Sequence, residues 1–137
     1  MENKQITVIV DADAIVAQTN IDDSNHKKAI SISEYLASVN ANVLYPASAV
    51  FEATTVIQSK MNSLATAISI ANTFTKTGYS VVDIDQNIYN KAVNEFFSKV
   101  TNKRDTLFDC VVATVAKEND ADYIFSFDKF YEANFLF

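Results

Sequence analysis

The sequence predicts an α/β fold in which a central, mainly parallel sheet is flanked by helices. Three observations carry this. The run "ITVIV" at 6–10 is β-branched at every position, the composition of a strand buried on both faces. Segments of helical length and periodicity then alternate with short strand-like runs along the chain. With one Gly and one Pro in 137 residues, the chain also lacks the turn punctuation of many-stranded β folds.

The elements follow in order. After 6–10, Asp11 and Asp13 read as the N-cap and first-turn acids of a following helix. The stretch "SNHKKAISISEYLAS" (24–38) forms an amphipathic helix and "NVLY" (42–45) a short strand. Pro46 opens a helix that runs to about Lys60, since proline is tolerated in a first helical turn. Residues 63–77 give a further helix, with Gly78 where a C-cap glycine belongs. "YSVVDI" (79–84) is a strand, 86–102 and 105–119 are two more helices, and "DYIFSF" (122–127) is a strand. The last ten residues fit neither pattern. There is no internal repeat, low-complexity segment or linker, so the expectation is a single domain over 1–137.

Composition narrows the setting. About half the residues are apolar, enough for a core. A net charge of −6 argues against binding nucleic acid through a broad basic face, but leaves nucleic acid open as a substrate. Cys110 is the only cysteine, so no intrachain disulfide can form. "MENKQ" leads into an apolar run too short for a signal peptide or a membrane span, which predicts a cytoplasmic protein without membrane attachment.

"VIVDADAIVA" (8–17) sets two carboxylates among valines and isoleucines with no basic residue beside them. Burying such charge costs several kcal/mol or more unless something offsets it. In open α/β sheets, sites form beyond the carboxyl ends of the strands. Asp11 follows the first strand and Asp128 the last clear one, so the two converge if those strands are neighbours. Glu52 and Asp109 lie early in two helices and can join them. At ~100° per residue, Leu107, Phe108, Val111, Val112 and Val115 form one apolar stripe. Asp109 falls beside it with Asp105, Ala113 and Ala116. That side is either solvated or, because the alanines are small, closely packed.

"VIVDADAIVA", "YPASAVFEATT" and "RDTLFDCVVATVAKENDADYIFSFDKF", in this order and at these separations, resemble the PIN domain. This is the metal-dependent nuclease fold of VapC-type toxins and other ribonucleases. "DDSNHKKA" (22–29) resembles the stretch entering the second helix of that family. The resemblance spans nearly the whole chain and implies a PIN-like three-layer fold. It places the acids of the family on Asp11, Glu52, Asp109 and Asp128, with Thr106 and Ser126 as supporting hydroxyl residues. Asp13 stands where many relatives carry Ser, Thr or Asn, and Ser126 replaces a more frequent Thr. A last edge strand, if there is one, is "NFLF".

Phosphodiester hydrolysis needs an activated water, a stabilised transition-state charge and a neutralised leaving oxygen. One or two Mg²⁺ or Mn²⁺ ions supply all three, and such hard ions select oxygen ligands. The resemblance therefore implies Asp11, Glu52, Asp109 and Asp128 as both catalytic and metal-binding residues, an RNA substrate, and products with a 5′-phosphate and a 3′-hydroxyl. It further implies a cognate antitoxin if the chain is a toxin, and a homodimer. Asp13 can coordinate, orient a water or cap the helix. Lys103 and Arg104, just before the Asp109 helix, are placed to touch a phosphate backbone.

Each residue also has a plainer account. Glu52 can be an exposed helix residue, Asp128 a turn residue and Asp105 a helix N-cap. Cys110 reads as a buried small hydrophobe and His26 as a surface residue; one His and one Cys make a zinc site improbable. Two rival functions stand beside the nuclease. Asp-x-Asp after a first strand also opens haloacid-dehalogenase-like phosphatases, with Asp11 as nucleophile, although Glu52 is then unexplained. A catalytically silent PIN-like module that only binds a partner is the other.

Overall fold

The computed structural model describes residues 4–134. Four strands, β1 (Thr7–Val10), β2 (Asn42–Pro46), β3 (Ser80–Val82) and β4 (Tyr123–Phe125), form one all-parallel sheet in the order β3-β2-β1-β4. β1 pairs with β2 through Val8↔Val43 and with β4 through Ile9↔Ile124. It is the sheet's centre, and Val8, Ile9 and Val10 are almost fully buried, as its unbroken apolar pattern requires.

Helices flank the sheet and fill the crossovers. α1 (Ala12–Thr19) and α2 (His26–Ser38) lie between β1 and β2; α3 (Ala47–Ser59) and α4 (Leu64–Thr73) lie between β2 and β3. α5 (Gln86–Lys91) and α6 (Leu107–Glu118) lead back to β4, and α7 (Lys129–Asn134) follows it. Two crossovers thus run outward from β1 and the third returns to its other side. This puts the exits of β1 and β4 side by side: the Asp11 N–H donates to the Phe125 carbonyl at 3.1 Å, prolonging the pairing past β1. The strand neighbourhood on which convergence of Asp11 and Asp128 depends is present.

Several boundaries differ from the sequence expectation. The helix expected over 86–102 is regular only to Lys91. It continues as a wide π-type turn, Ala92–Phe96, and a tight turn, Phe97–Lys99. The wide turn buries Ala92 and brings Glu95 to within 3.7 Å of Lys117 on α6. α4 ends at Thr73 because Phe74 turns into an edge contact with Tyr45 (4.8 Å) and Tyr79 (5.4 Å). Gly78, at φ +102°, consequently serves the turn into β3 and not a helix cap. Pro46 ends β2 and precedes the first helical residue of α3. Asp105 is not the N-cap of α6; Thr106 is. The proposed edge strand "NFLF" falls on residues 135–137, outside those described, apart from Asn134 at the end of α7.

α6 also departs from a simple amphipathic stripe. Phe108 is half exposed, whereas every residue from Asp109 to Ala116 is buried. The helix packs on β1 and β4 and also against α3 and α5, so its alanine side meets protein. Of the two readings of that side, close packing holds. Ala113→Leu is therefore expected to destabilise the protein by ~1–3 kcal/mol through overpacking. Urea unfolding followed by circular dichroism checks this; an unchanged midpoint would mean that the face is open.

Candidate active site

The exits of β1 and β4, the second turn of α3 and the first turn of α6 meet around a cleft of about 250 Å³. Asp11, Asp13, Glu52, Asp109 and Asp128 line it, together with Asp23, Val16 and Val56. Among the described residues, no lysine or arginine lines it.

Asp11 is 5% exposed and caps α1, accepting the Ala12 N–H at 2.7 Å. Both the plain N-cap reading and the site reading therefore describe it. Burial first, and the charge of Asp13 second, push its carboxyl up to about 6. The Tyr131 hydroxyl and Ser126 act in the opposite direction by hydrogen bonding to the ionised form. Ser126 Oγ stands 3.1 Å from Asp11 Oδ2 and 3.1 Å from both Asp13 oxygens, so one hydroxyl proton is shared across two carboxylates. Asp13 also accepts the Phe127 N–H at 2.9 Å, and burial raises its carboxyl. Asp13 thus ties the first turn of α1 to the segment leaving β4.

Asp128 donates its own N–H to Ser126 Oγ at 3.1 Å and accepts the Phe130 N–H at 2.9 Å. The turn reading is correct for its backbone role, and the same residue lines the cleft. Asp109 is 9% exposed and forms a reciprocal cap with Thr106. Thr106 donates from its backbone N (2.9 Å) and its hydroxyl (3.2 Å) to Asp109 Oδ2. Burial, then the charges of Asp128 and Asp11, raise Asp109 to about 6. Glu52 is half-buried on α3 and makes no hydrogen bond or ion pair among the described residues. Burial, and after it Asp11, Asp109, Asp13 and Asp128, lift it to about 7. Ser48, one turn earlier on α3, buries its hydroxyl without a hydrogen-bond partner among the described residues.

Five sequence-expected acids and both hydroxyl residues are therefore brought together, and Lys103 and Arg104 are not. Those two are exposed on the loop before α6 and line none of the cleft. Two residues, one lining the cleft and one bonded to Asp11 behind it, escape the sequence reading. Asp23 sits on the turn between α1 and α2, its carboxylate accepting the Asn25 N–H at 2.8 Å; its only signal is the "DD" of "DDSNHKKA". Tyr131, 2% exposed, follows Asp128 by three residues in α7, and its phenol is raised by burial and by Asp11. His26 is half-buried rather than on the surface, its Nδ1 2.7 Å from the Ala17 carbonyl. Cys110 is fully buried, as expected.

The donor set is hard oxygen on a cleft that holds no cationic side chain, which fits a hard divalent ion. Among the described residues, no three of these groups stand close enough to close on one ion unaided. The donor chemistry thus fits such an ion, while the carboxylates are not drawn in around one. A larger cavity, about 520 Å³, lies between α2 and the sheet, but amides, hydroxyls and apolar groups line it and it gathers no carboxylate.

No protein-family model matches the chain, and no curated protein matches it in sequence. Solved structures do match in three dimensions. VapC20 of Mycobacterium tuberculosis, described as a sarcin-ricin loop cleaving toxin, superposes with a TM-score of 0.83 at 18% identity, covering 95% of this chain and 96% of that one. VapBC2 of Rickettsia felis, bound to a DNA fragment from its promoter, gives a TM-score of 0.64 at 13% identity, covering 93% and 92%. The chain has the PIN-domain fold of the VapC proteins.

Crowded carboxylates give stability a definite pH dependence. Raised folded-state values mean that the folded form binds more protons than the unfolded chain between the two sets of values. Their stabilising contribution is complete below the ordinary carboxylate range, near 4, and is lost as pH rises through about 6 and 7. Thermal melts in EDTA are expected to give a lower Tm at pH 7.5 than at pH 5, apart from whatever the other groups contribute. Asp11→Asn/Asp109→Asn is expected to flatten that difference, and an unchanged slope in this double variant would mean that the cluster is not its source.

Proposed function

We propose that the protein is a divalent-metal-dependent endoribonuclease acting as the toxin of a toxin–antitoxin pair. The observation that carries this is the convergence of Asp11, Glu52, Asp109 and Asp128, from four separate segments, on one cation-free cleft. The fold supports it, being shared with a toxin described as cleaving the sarcin-ricin loop. Asp11, Glu52, Asp109 and Asp128 would hold Mg²⁺ or Mn²⁺. When bound, the ion supplies Lewis-acid polarisation of the phosphodiester and neutralises charge on the leaving oxygen.

The chain's own contribution is positional. Ser126 and Asp13 fix the β4 exit against α1, which aims Asp11 and Asp128 at the same space. The reciprocal cap with Thr106 fixes the Asp109 carboxylate. Glu52 makes no hydrogen bond or ion pair among the described residues, which leaves its carboxylate free to turn toward a bound ion. The nuclease reading is favoured over the haloacid-dehalogenase-like alternative because the matching solved structures are VapC proteins. The VapBC2 match supports a cognate antitoxin as partner. A homodimer and an RNA substrate complete the proposal. Among the described residues, no helix is long and apolar enough to cross a membrane.

Two measurements test this reading. Purified protein is expected to cleave RNA in Mg²⁺ or Mn²⁺ and not in EDTA. Asp11→Asn, Glu52→Gln and Asp109→Asn are each expected to lower the rate by at least ~100-fold. Asp13→Asn, which keeps an acceptor for Ser126 and Phe127, should lose roughly tenfold or less. Full activity of Asp11→Asn on the same RNA would refute the site, and the absence of any metal-dependent cleavage would favour a silent binding module. In a separate melt at neutral pH, an ion ~100-fold above its Kd is expected to add about 2.7 kcal/mol. The corresponding rise in Tm is several degrees. An equal rise in Asp11→Asn/Asp109→Asn would place the ion elsewhere.

A further inference from the structure

The proposed site leaves one problem open. A nucleic-acid strand must approach a cleft lined with carboxylates and by no cation. Lys103 and Arg104, the cations that the sequence offered, stand on a different loop and do not line it. One ammonium group, also outside the lining, is held by another means against the segment that carries Asp128. Lys28, in the first turn of α2, sets its Nζ over the Phe127 ring, 5.8 Å from the centroid.

Phe127 is not a loose partner. It lies between Ser126 and Asp128 in the chain, donates its N–H to Asp13 Oδ2 at 2.9 Å, and packs edge-on against Phe125 at 6.1 Å. Its backbone is therefore fixed between two cleft acids, Asp13 and Asp128. The helix that presents Lys28 is anchored as well. His26 holds the Ala17 carbonyl through Nδ1 at 2.7 Å, and its N–H donates to the carbonyl of Asp23, a lining residue, at 2.9 Å. Among the described residues, Lys28 makes no ion pair. A cation held by an aromatic face keeps its charge and its N–H donors available, whereas one paired with a carboxylate does not.

We propose that Lys28, positioned by Phe127, is a substrate-binding residue that takes a backbone phosphate of the strand entering the cleft. This rests on the ribonuclease reading above. The ligand chemistry is a phosphodiester anion, read as charge and not as sequence. Lys28 would offset locally the repulsion between the strand and the acids. Phe127 is a positioning residue, since it acts through the ammonium.

The test is equilibrium binding of a fluorescein-labelled, mixed-sequence single-stranded RNA in Mg²⁺, measured across a series of salt concentrations. The Asp11→Asn background keeps the strand uncut. A phosphate contact made by one lysine contributes a slope of about 0.7 in log K against log salt for a single strand. Lys28→Ala is expected to bind roughly fivefold more weakly at ~0.1 M salt and to lose about that much slope. Lys28→Arg should restore both, because it keeps the charge and stacks on the ring. Phe127→Leu should weaken binding in the same direction. Lys76→Ala is the control, since Lys76 lies on the turn entering β3, at the opposite end of the sheet, and its slope should match the parent. A parental slope in Lys28→Ala overturns this inference while leaving the ribonuclease reading intact. A slope lost equally in Lys76→Ala overturns it too, because the effect is then general charge. If the parent binds no RNA while the wild type cleaves none, the ribonuclease reading itself fails, and this inference falls with it.

Discussion

Holding several carboxylates in one poorly solvated cleft is the constraint to which the rest of the structure is fitted. Burial first, and like charges at short range after it, raise the proton affinity of such groups, and Asp11, Glu52 and Asp109 all show it. A fold that gathers such groups must restrain them by contacts that do not depend on a counter-ion. Here the restraint is neutral hydrogen bonding. Ser126 shares its hydroxyl between Asp11 and Asp13, the Phe127 N–H serves Asp13, and Thr106 serves Asp109 from both backbone and side chain. Glu52 lacks such restraint, and burial and its carboxylate neighbours raise it to about 7.

The topology provides the meeting place. With β1 at the centre and the order β3-β2-β1-β4, the chain changes direction at β1, and acids from its exit and from that of β4 are neighbours by construction. α3 and α6 then deliver Glu52 and Asp109 from either side, packed against each other. Burial of α6 on nearly every face follows from the same arrangement. It touches the sheet, α3 and α5 at once, and its small residues allow those approaches.

Much of this was legible in the residues, for physical reasons. A β-branched run with an acid at its end announces a buried strand and a site at its carboxyl end, and Asp11 and Asp128 obey that logic. Thr106 and Asp109, three apart, carry the reciprocal cap in their spacing. What stayed hidden depends on contacts distant in sequence. Asp23 reaches the cleft only because the turn between α1 and α2 folds over it, and no periodicity encodes that. Tyr131 lay in a segment without a clear pattern. The irregular stretch at 92–99 is set by how Ala92 and Glu95 meet α6, so helical periodicity alone ran past it. Lys103 and Arg104 precede Asp109 in the chain, yet the loop turns them outward. Proximity in sequence to a site residue is no measure of proximity to the site.

Cys110 is the next residue after Asp109 and is fully buried, its thiol pushed up to about 11 by burial and by the charges of Asp109 and Asp105. At cellular pH almost none of it is thiolate, the form that oxidants and electrophiles attack. The acid that follows Thr106 thus has a sulfur neighbour which is chemically quiet. Peroxide or an alkylating agent would have to open α6 before reaching it. A chain with one cysteine so shielded is insensitive to the redox poise of its surroundings while folded, and a thiol introduced elsewhere on its surface becomes a single, selective attachment point for a probe.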